Sequence, residues 1–435
     1  MGDTTLKNAS PFEPACAEPP ASEPKAKTMA PAWAPLRREM FRALWIAAVV
    51  SNLGTWMHEV GASWLMTQLA PSPLMVALIQ AAENLPFLML ALAAGALADT
   101  FDRRRLLIIS QSWMLGAATV LGLFTALHWM TPNLLLALTF VLALGNVLNG
   151  PSWQAILPEM VPRSEVTAAI SLNSVGFNVA RALGPALGGV VVASFGAAAV
   201  FLLNAISFLG VIIVLRQWRR PPRVSSKPRE QLMEAVTTGL RFTHRSATIR
   251  SVLARTVLFL VGGSSLFSLM PLYVRDYLGR GAAGYGGLLG FFGVGAVVGG
   301  TMLPHLLHWR WLGPTRLSGS GVILFADALA VMAFRGRYAV ACLAMLAGGF
   351  VWSSVLSTFN TSIQLHAPEW VRGRALAIYQ LTFAGVVFGF SAFWGLVAER
   401  LGIPQAFMAA ALALAAGSLA NSRFPVTLEA DAGHE

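Results

Sequence analysis

From about residue 42 to residue 422 the chain alternates long, nearly unbroken apolar runs with short polar connections. The runs cover 42–68, 73–98, 106–128, 132–157, 165–193, 196–217, 251–278, 283–308, 315–334, 338–366, 374–398 and 403–422. A helix needs roughly 20 apolar residues to cross a hydrocarbon core about 30 Å thick, and these runs meet that length. They are continuous rather than alternating, which excludes a transmembrane β-barrel and leaves helices, whose backbone groups are satisfied internally. The pattern predicts an all-α polytopic membrane protein with twelve transmembrane helices. Three polar stretches frame them. Residues 1–40 are rich in Pro, Ala and Glu and read as a disordered cytoplasmic tail, not a signal peptide. Residues 218–250 form the long internal linker, and 423–435 a second cytoplasmic tail.

Composition and charge sharpen the class. The chain is 56% hydrophobic and 12% charged, more apolar than a soluble domain of this size requires. Its net charge of +11 comes mostly from arginine. These arginines gather at loops that the span map puts on one side, as at Arg37-Arg38, Arg103-Arg104-Arg105 and Arg219-Arg220, while Arg275, Arg280, Arg335, Arg337 and Arg400 fall on the other. The bias reads as membrane topology and lipid contact rather than nucleic-acid binding, and it predicts that both termini are cytoplasmic in a cell inner-membrane protein. Cys16 and Cys342 are too far apart in context to imply a disulfide framework. There is no phosphate-binding Gly-x-x-x-x-Gly-Lys-Ser/Thr loop, so the sequence points to a secondary transporter rather than an ATPase or other enzyme. No cofactor and no metal site is expected.

The two halves read as repeats. The same offset separates Gly95 from Gly300 and Gly184 from Gly389, and Pro158-Glu159-Met160-Val161 recurs as Pro368-Glu369-Trp370-Val371. Two pseudo-symmetric six-helix bundles follow, 41–217 and 251–422, joined by the linker. Within the linker, Leu232, Val236 and Leu240 share a face of an amphipathic helix, lying on the cytoplasmic leaflet or acting as a solvated connection.

The loop after the second run reads Gly95-Ala96-Leu97-Ala98-Asp99-Thr100-Phe101-Asp102-Arg103-Arg104-Arg105. Small residues permit close helix approach, and the acid beside three arginines supplies a charged turn at the headgroup level. This stretch resembles the signature loop of the major facilitator superfamily, carried here by Gly95, Asp99, Arg103, Arg104 and Arg105. The resemblance implies a gating loop in which Asp99 and Arg103 make state-dependent contacts. The second half lacks it, because Pro304 stands where Asp99 would be.

The fifth run contains Arg181-Ala182-Leu183-Gly184-Pro185-Ala186-Leu187-Gly188-Gly189. Proline removes a backbone bond and the glycines allow bending and close packing. Arg181, Gly184, Pro185, Gly188 and Gly189 resemble the fifth-helix motif of exporters of that superfamily; a simple packing groove is the other reading. Ser51-Asn52-Leu53-Gly54-Thr55-Trp56-Met57, Trp153-Gln154-Ala155-Ile156-Leu157-Pro158-Glu159 and Asn173–Arg181 are similar to the enterobactin-exporter-like and macrolide-efflux branch. That resemblance implies export of a bulky organic compound, such as a siderophore or drug, driven by ion exchange. Import of a nutrient and lipid flipping remain the alternatives.

Polar residues inside apolar runs are expensive unless paired or wet, so they mark the transport path. Glu59 and Glu83 are the candidates for proton coupling. Asn52, Trp56, Met57, Asn146, Asn149, Trp153, Ser353, Asn360 and Gln380 are the candidates for the substrate cavity. Ser264, Ser265 and Ser268 are expected to face the glycine-rich eighth run, and Asp327 to make a local helix contact. The expected partners are a small organic substrate, protons or another coupling ion, and membrane lipids, around a monomeric chain.

Overall fold

The computed structural model describes Gly2 and residues 31–218, 232–308, 313–334, 336–420 and 424–428. Thirteen helices are described: α1 (Glu39–Leu69), α2 (Pro73–Thr100), α3 (Arg103–Ala126), α4 (Pro132–Ile156), α5 (Val166–Phe195), α6 (Ala197–Gln217), α7 (Leu232–Arg245), α8 (Ala247–Leu272), α9 (Ala282–His308), α10 (Pro314–Ala333), α11 (Tyr338–His366), α12 (Glu369–Leu401) and α13 (Ile403–Ala420). Ten of them, α2–α6 and α8–α12, are long and apolar enough to cross a membrane. The chain is a multi-pass membrane protein. α13 is apolar but short, and α1 is long but less apolar. The face of α1 that carries Asn52, Thr55, Glu59 and Ser63 lowers its hydropathy, and that face lines the central cavity.

Helix ends follow local chemistry. Ser72, Thr131 and Ser246 accept backbone N–H bonds as N-caps of α2, α4 and α8, and α2, α4 and α10 each start on proline, whose missing donor costs nothing in a first turn. Gly196 and Gly402 end α5 and α12 with φ of 81° and 96°, a conformation that favours glycine. The same turn thus recurs at corresponding points of the two halves.

α1 packs on α5 and α6, α2 on α4, and α3 on α4 and α6; in the second half α9 packs on α11, α10 on α11 and α13, and α8 on α12 and α13. The two sets meet through α2 against α12 and α5 against α9. Both crossings run from mid-helix, at Leu88 beside Gly385 and Ala182 beside Gly293, to the end remote from the Arg103–Arg105 loop. A Cβ on Gly395 of α12 would sit 2.9 Å from the Cα of Leu74 at the start of α2, and one on Gly189 late in α5 would sit 2.7 Å from the Cα of Gly286 early in α9. Arg275 donates to the carbonyl of Thr67 at that same far end, and Ser72 donates to Glu399 at 3.2 Å. One continuous apolar core joins both sets there, running from Val60, Met66 and Ile79 to Leu269, Tyr285 and Phe407. Toward the arginine loop the first set instead keeps small separate cores, one around Leu44, Leu107, Ile156 and Leu215.

Several expectations are corrected by the packing. The stretch expected as a free tail up to residue 40 already turns at Ala34–Arg37 and enters α1 at Glu39; the tail before residue 31 (Gly2 apart), like Arg219–Arg223, lies outside the described residues. Residues 424–428, the described part of the final segment, are not free either. Arg255, 1% exposed, donates to the Phe424 carbonyl at 2.5 Å and to Ser318 Oγ at 2.6 Å, while Val426 is buried and hydrogen-bonded to Thr315. The glycines of α9 do not meet the α8 serines. Gly295 and Gly299 pack against the α11 backbone at Leu346 and Phe350, and Gly286 and Gly293 against α5, whereas Ser265 and Ser268 bond back to α8 itself. Asp327 points out from α10, exposed, instead of into a neighbouring helix. α7 packs on α12, through Phe242 against Trp370 and Gly239 against Arg374.

Candidate transport cavity and signature motifs

A cavity of about 660 Å³ opens between the two sets of helices. That is the size range of sites for drug-sized molecules. Its walls differ in chemistry. α1–α5 contribute Asn52, Glu59, Gln80, Glu83, Asn84, Asn146, Asn149 and Arg181; α8, α9, α11 and α12 contribute Phe267, Tyr285, Phe292, Trp352, Phe383 and Gln380. Trp352 is the centre of the second wall, with Phe259, Phe267, Phe292, Phe325 and Phe383 at centroid distances of 5.1–6.3 Å. Such a cluster presents a rigid aromatic platform.

Glu59 and Arg181 interact electrostatically across the first wall, and Glu59 also feels Glu83. Glu59 and Arg181 make no direct ion pair among the described residues, so both side chains remain available to the cavity. Glu83 accepts from Gln80 Nε2 at 3.2 Å, Asn84 donates to the Gln80 carbonyl at 2.8 Å, and Gln111 Nε2 donates to Asn149 at 3.0 Å. Ser63 and Tyr285 line the cavity from opposite sets of helices.

Of the residues expected to line the cavity, Asn52, Trp56, Glu59, Glu83, Asn146, Asn149 and Gln380 do so. Met57, Trp153, Ser353 and Asn360 lie outside it. Met57 is in the α1–α5 seam, where its Cα would be 2.8 Å from a Cβ on Gly188. The Trp153 indole donates to Asn173 at 3.0 Å and packs in the small cores near the arginine loop. Ser353 sits in the α9–α11 seam beside Gly300, and Asn360 accepts from Gln364 on an exposed turn of α11. Met57 and Ser353 each stand one position from a lining residue, Trp56 and Trp352, and a single step of about 100° around a helix is enough to turn them into a seam; Trp153 and Asn360 lie beyond the last cavity residues of their helices, Gly150 and Trp352. His58, Gln111, Thr139 and Tyr285 line the cavity without having been singled out by spacing. The detectable signal was a buried-type polar residue within an apolar run; no motif surrounds them.

The loop motif does structural work inside the first set of helices. Asp102 caps α3 by accepting from Arg105 N at 2.9 Å. Arg103 pairs with Glu159 at 2.9 Å and donates to the Ala155 carbonyl, tying α3 to the end of α4. Arg104 donates to the Leu215 and Arg216 carbonyls at 2.7 and 2.9 Å, satisfying the open end of α6. A Cβ on Gly95 would meet nothing, so close packing does not explain that glycine here. The Asp99 side chain lies outside the described residues. In the fifth-helix motif, Gly184 and Gly188 admit Trp56 and Met57 of α1, while Gly189 and the Pro185 carbonyl meet Gly286 of α9.

A polar, aromatic-walled cavity held between two sets of membrane-spanning helices defines a solute transporter, not an enzyme. The chain belongs to the transmembrane secretion effector family within the major facilitator superfamily, whose model matches residues 30–433. It is 23% identical over 358 residues to the staphyloferrin A transporter of Staphylococcus aureus, covering 82% of this chain and 88% of that one. It is 26% identical over 402 residues to the multidrug efflux pump Tap of Mycobacterium tuberculosis, covering 88% and 93%. Among solved structures, the fold is shared with an inward-facing bacterial homologue of the lysosomal transporter Spinster (TM-score 0.69, 15% identity, 90% and 98% covered) and with a D-xylose–proton symporter (TM-score 0.69, 13% identity, 90% and 99% covered).

Proposed function

We propose that this chain is a proton-coupled exporter of a bulky organic compound, a drug or a siderophore, working by alternating access. The observation that carries the reading is the pairing of two carboxylates, Glu59 and Glu83, with an aromatic platform across one cavity. Carboxylates partly withdrawn from water can bind and release protons as the cavity changes sides, and Arg181 near Glu59 competes with the proton for the charge. The relatives' names, a siderophore transporter and a multidrug pump, support the same substrate range.

In this reading α1–α6 (41–217) and α8–α13 (251–422) are two six-helix bundles, twelve spans in all, with α7 in the cytoplasmic linker. The arginine loop and both termini face the cytoplasm of an inner membrane. In the same reading the α2–α12 and α5–α9 crossings close the outer end, and the cavity opens inward between the separate cores near the arginine loop. The chain acts as a monomer among lipids.

The test is substrate-dependent proton movement in proteoliposomes across a panel of drugs and siderophores. Wild-type protein should move protons against the compound it exports. Glu59→Gln and Glu83→Gln should each abolish concentrative transport while leaving substrate binding measurable. Full coupled transport in both variants, or compound movement with no proton flux in the wild type, would remove proton coupling from the mechanism.

A further inference from the structure

Three residues on the first wall of the cavity carry buried polar atoms with nothing to bond. His58 is 2% exposed, and among the described residues neither ring nitrogen has a partner. Gln111 is 3% exposed and uses its amide nitrogen on Asn149, but its Oε1 is unpaired. Thr139 is 2% exposed and its Oγ1 is unpaired. All three line the cavity, and they come from α1, α3 and α4 of the first set of helices; the buried unpaired atoms elsewhere, on Asn204, Thr243 and Ser391, do not line it.

A buried donor or acceptor left unbonded is unfavourable, so three such groups beside one cavity stand to gain from a ligand's atoms. Their chemistry differs from that of the charged group nearby. A neutral imidazole offers one donor and one acceptor, a glutamine carbonyl accepts, and a threonine hydroxyl does both. None of these recognises a net charge; all recognise hydroxyls, carbonyls and amides. By helical rise, Gln111 and Thr139 are separated by about 14 Å of membrane depth, so the row suits an extended, multiply hydroxylated surface rather than one small head. His58 is held for this by its ring, which lies 4.6 Å from that of Phe201.

We propose that His58, Gln111 and Thr139 form a neutral hydrogen-bonding row that selects substrates bearing several hydroxyl or carbonyl groups, separately from the carboxylates that carry charge. The assignment rests on the export reading and deepens it. A compound with both features would place its cation near Glu59 and Glu83, its apolar body on Trp352, and its oxygenated edge along this row.

The experiment compares two probes on protein in lipid nanodiscs: erythromycin, rich in hydroxyls, and tetraphenylphosphonium, a cation with no hydrogen-bonding group. His58→Phe keeps an aromatic ring against Phe201 while removing both nitrogens; Thr139→Val is isosteric. Each should weaken erythromycin binding about tenfold, the loss of one buried hydrogen bond, and leave tetraphenylphosphonium within about twofold. His58→Gln, which restores a donor and an acceptor, should recover part of the erythromycin affinity. Equal weakening of both probes would make the row a packing feature, and unchanged erythromycin binding would mean that enclosed water serves these atoms; either result overturns the assignment. If Glu59→Gln removes proton coupling while the His58 variants leave selectivity untouched, the export reading stands and this inference alone fails. A wild type that binds neither probe nor any other compound of the panel would sink both together.

Discussion

Gly189 of α5 and Gly286 of α9 meet backbone to backbone: a Cβ added to either would lie 2.7 Å from the Cα of the other. The contact joins the two sets of helices at the end remote from the arginine loop, and in lipid such small-residue crossings are a main source of helix association. Its neighbours are backbone atoms, which cannot move aside as a flexible side chain would.

Gly286→Val should therefore prop that end apart. Folding of each set of helices should survive, because the valine points between them. Transport should fall to near background, and a cysteine placed at Ser63 should become more reactive to an impermeant thiol reagent added from the outside. Normal transport with unchanged labelling would show that this crossing opens and closes without the glycine pair.

The ion pair between Arg103 and Glu159 predicts a different phenotype. Arg103 is 27% exposed and Glu159 only 3% at the side chain, and the bond ties α3 to α4 within one set of helices. Glu159→Ala should cost about 1–3 kcal/mol, the range for a hydrogen bond to a charged group, read as a lower melting temperature in detergent. Glu159→Gln, which keeps an acceptor, should lose less. Activity per folded molecule should hold in both. A variant of normal stability with no transport would return the pair to a gating role, as the loop's resemblance implied.

Arg38 and Glu165 supply a pH prediction. Arg38 Nε and Nη2 grip the two carboxylate oxygens of Glu165 at 2.9 and 3.0 Å, joining the start of α1 to the start of α5. This bond holds the Glu165 carboxyl below its ordinary value of 4.5 and raises the Arg38 guanidinium. A depressed carboxyl contributes stability that is fully present above the ordinary value and is lost as pH falls through the depressed one. The arginine's contribution persists through neutral and mildly alkaline pH. Thermal stability measured from pH 6 to pH 3 should thus fall below about pH 4.5, and Glu165→Gln should flatten that part of the profile. Both groups are at the surface, so the effect is small and should shrink further with salt. An identical acid profile in the variant would show that the pair adds nothing.

Much of this was legible in the sequence because lipid leaves the chain few options. Runs of apolar residues had to become helices, and proline, serine and threonine at their starts fixed where they begin. Glu59, Glu83 and Asn146 stood out because a polar side chain in such a run needs a reason. The partner of Arg103 was not legible: Glu159 lies 56 residues away, and nothing local distinguishes it from Glu165 or Glu369. Asn360 and Ser353 share the spacing of a cavity face, yet Ser353 packs beside Gly300 of α9 and Asn360 bonds to Gln364 on its own helix. His58 went unnoticed for the opposite reason, since a lone histidine carries no pattern and only its missing partners single it out.

The sequence by itself determined the membrane setting, the helices, their duplication and the few polar residues that cannot face lipid, because each follows from the chain's own period and composition. The tertiary structure decided which of those polar residues share one cavity, which glycines join the two sets of helices, and that the arginine loop ties helices within one set. Those outcomes depend on how helices rotate and cross, and that is set by side-chain packing between segments far apart in the chain.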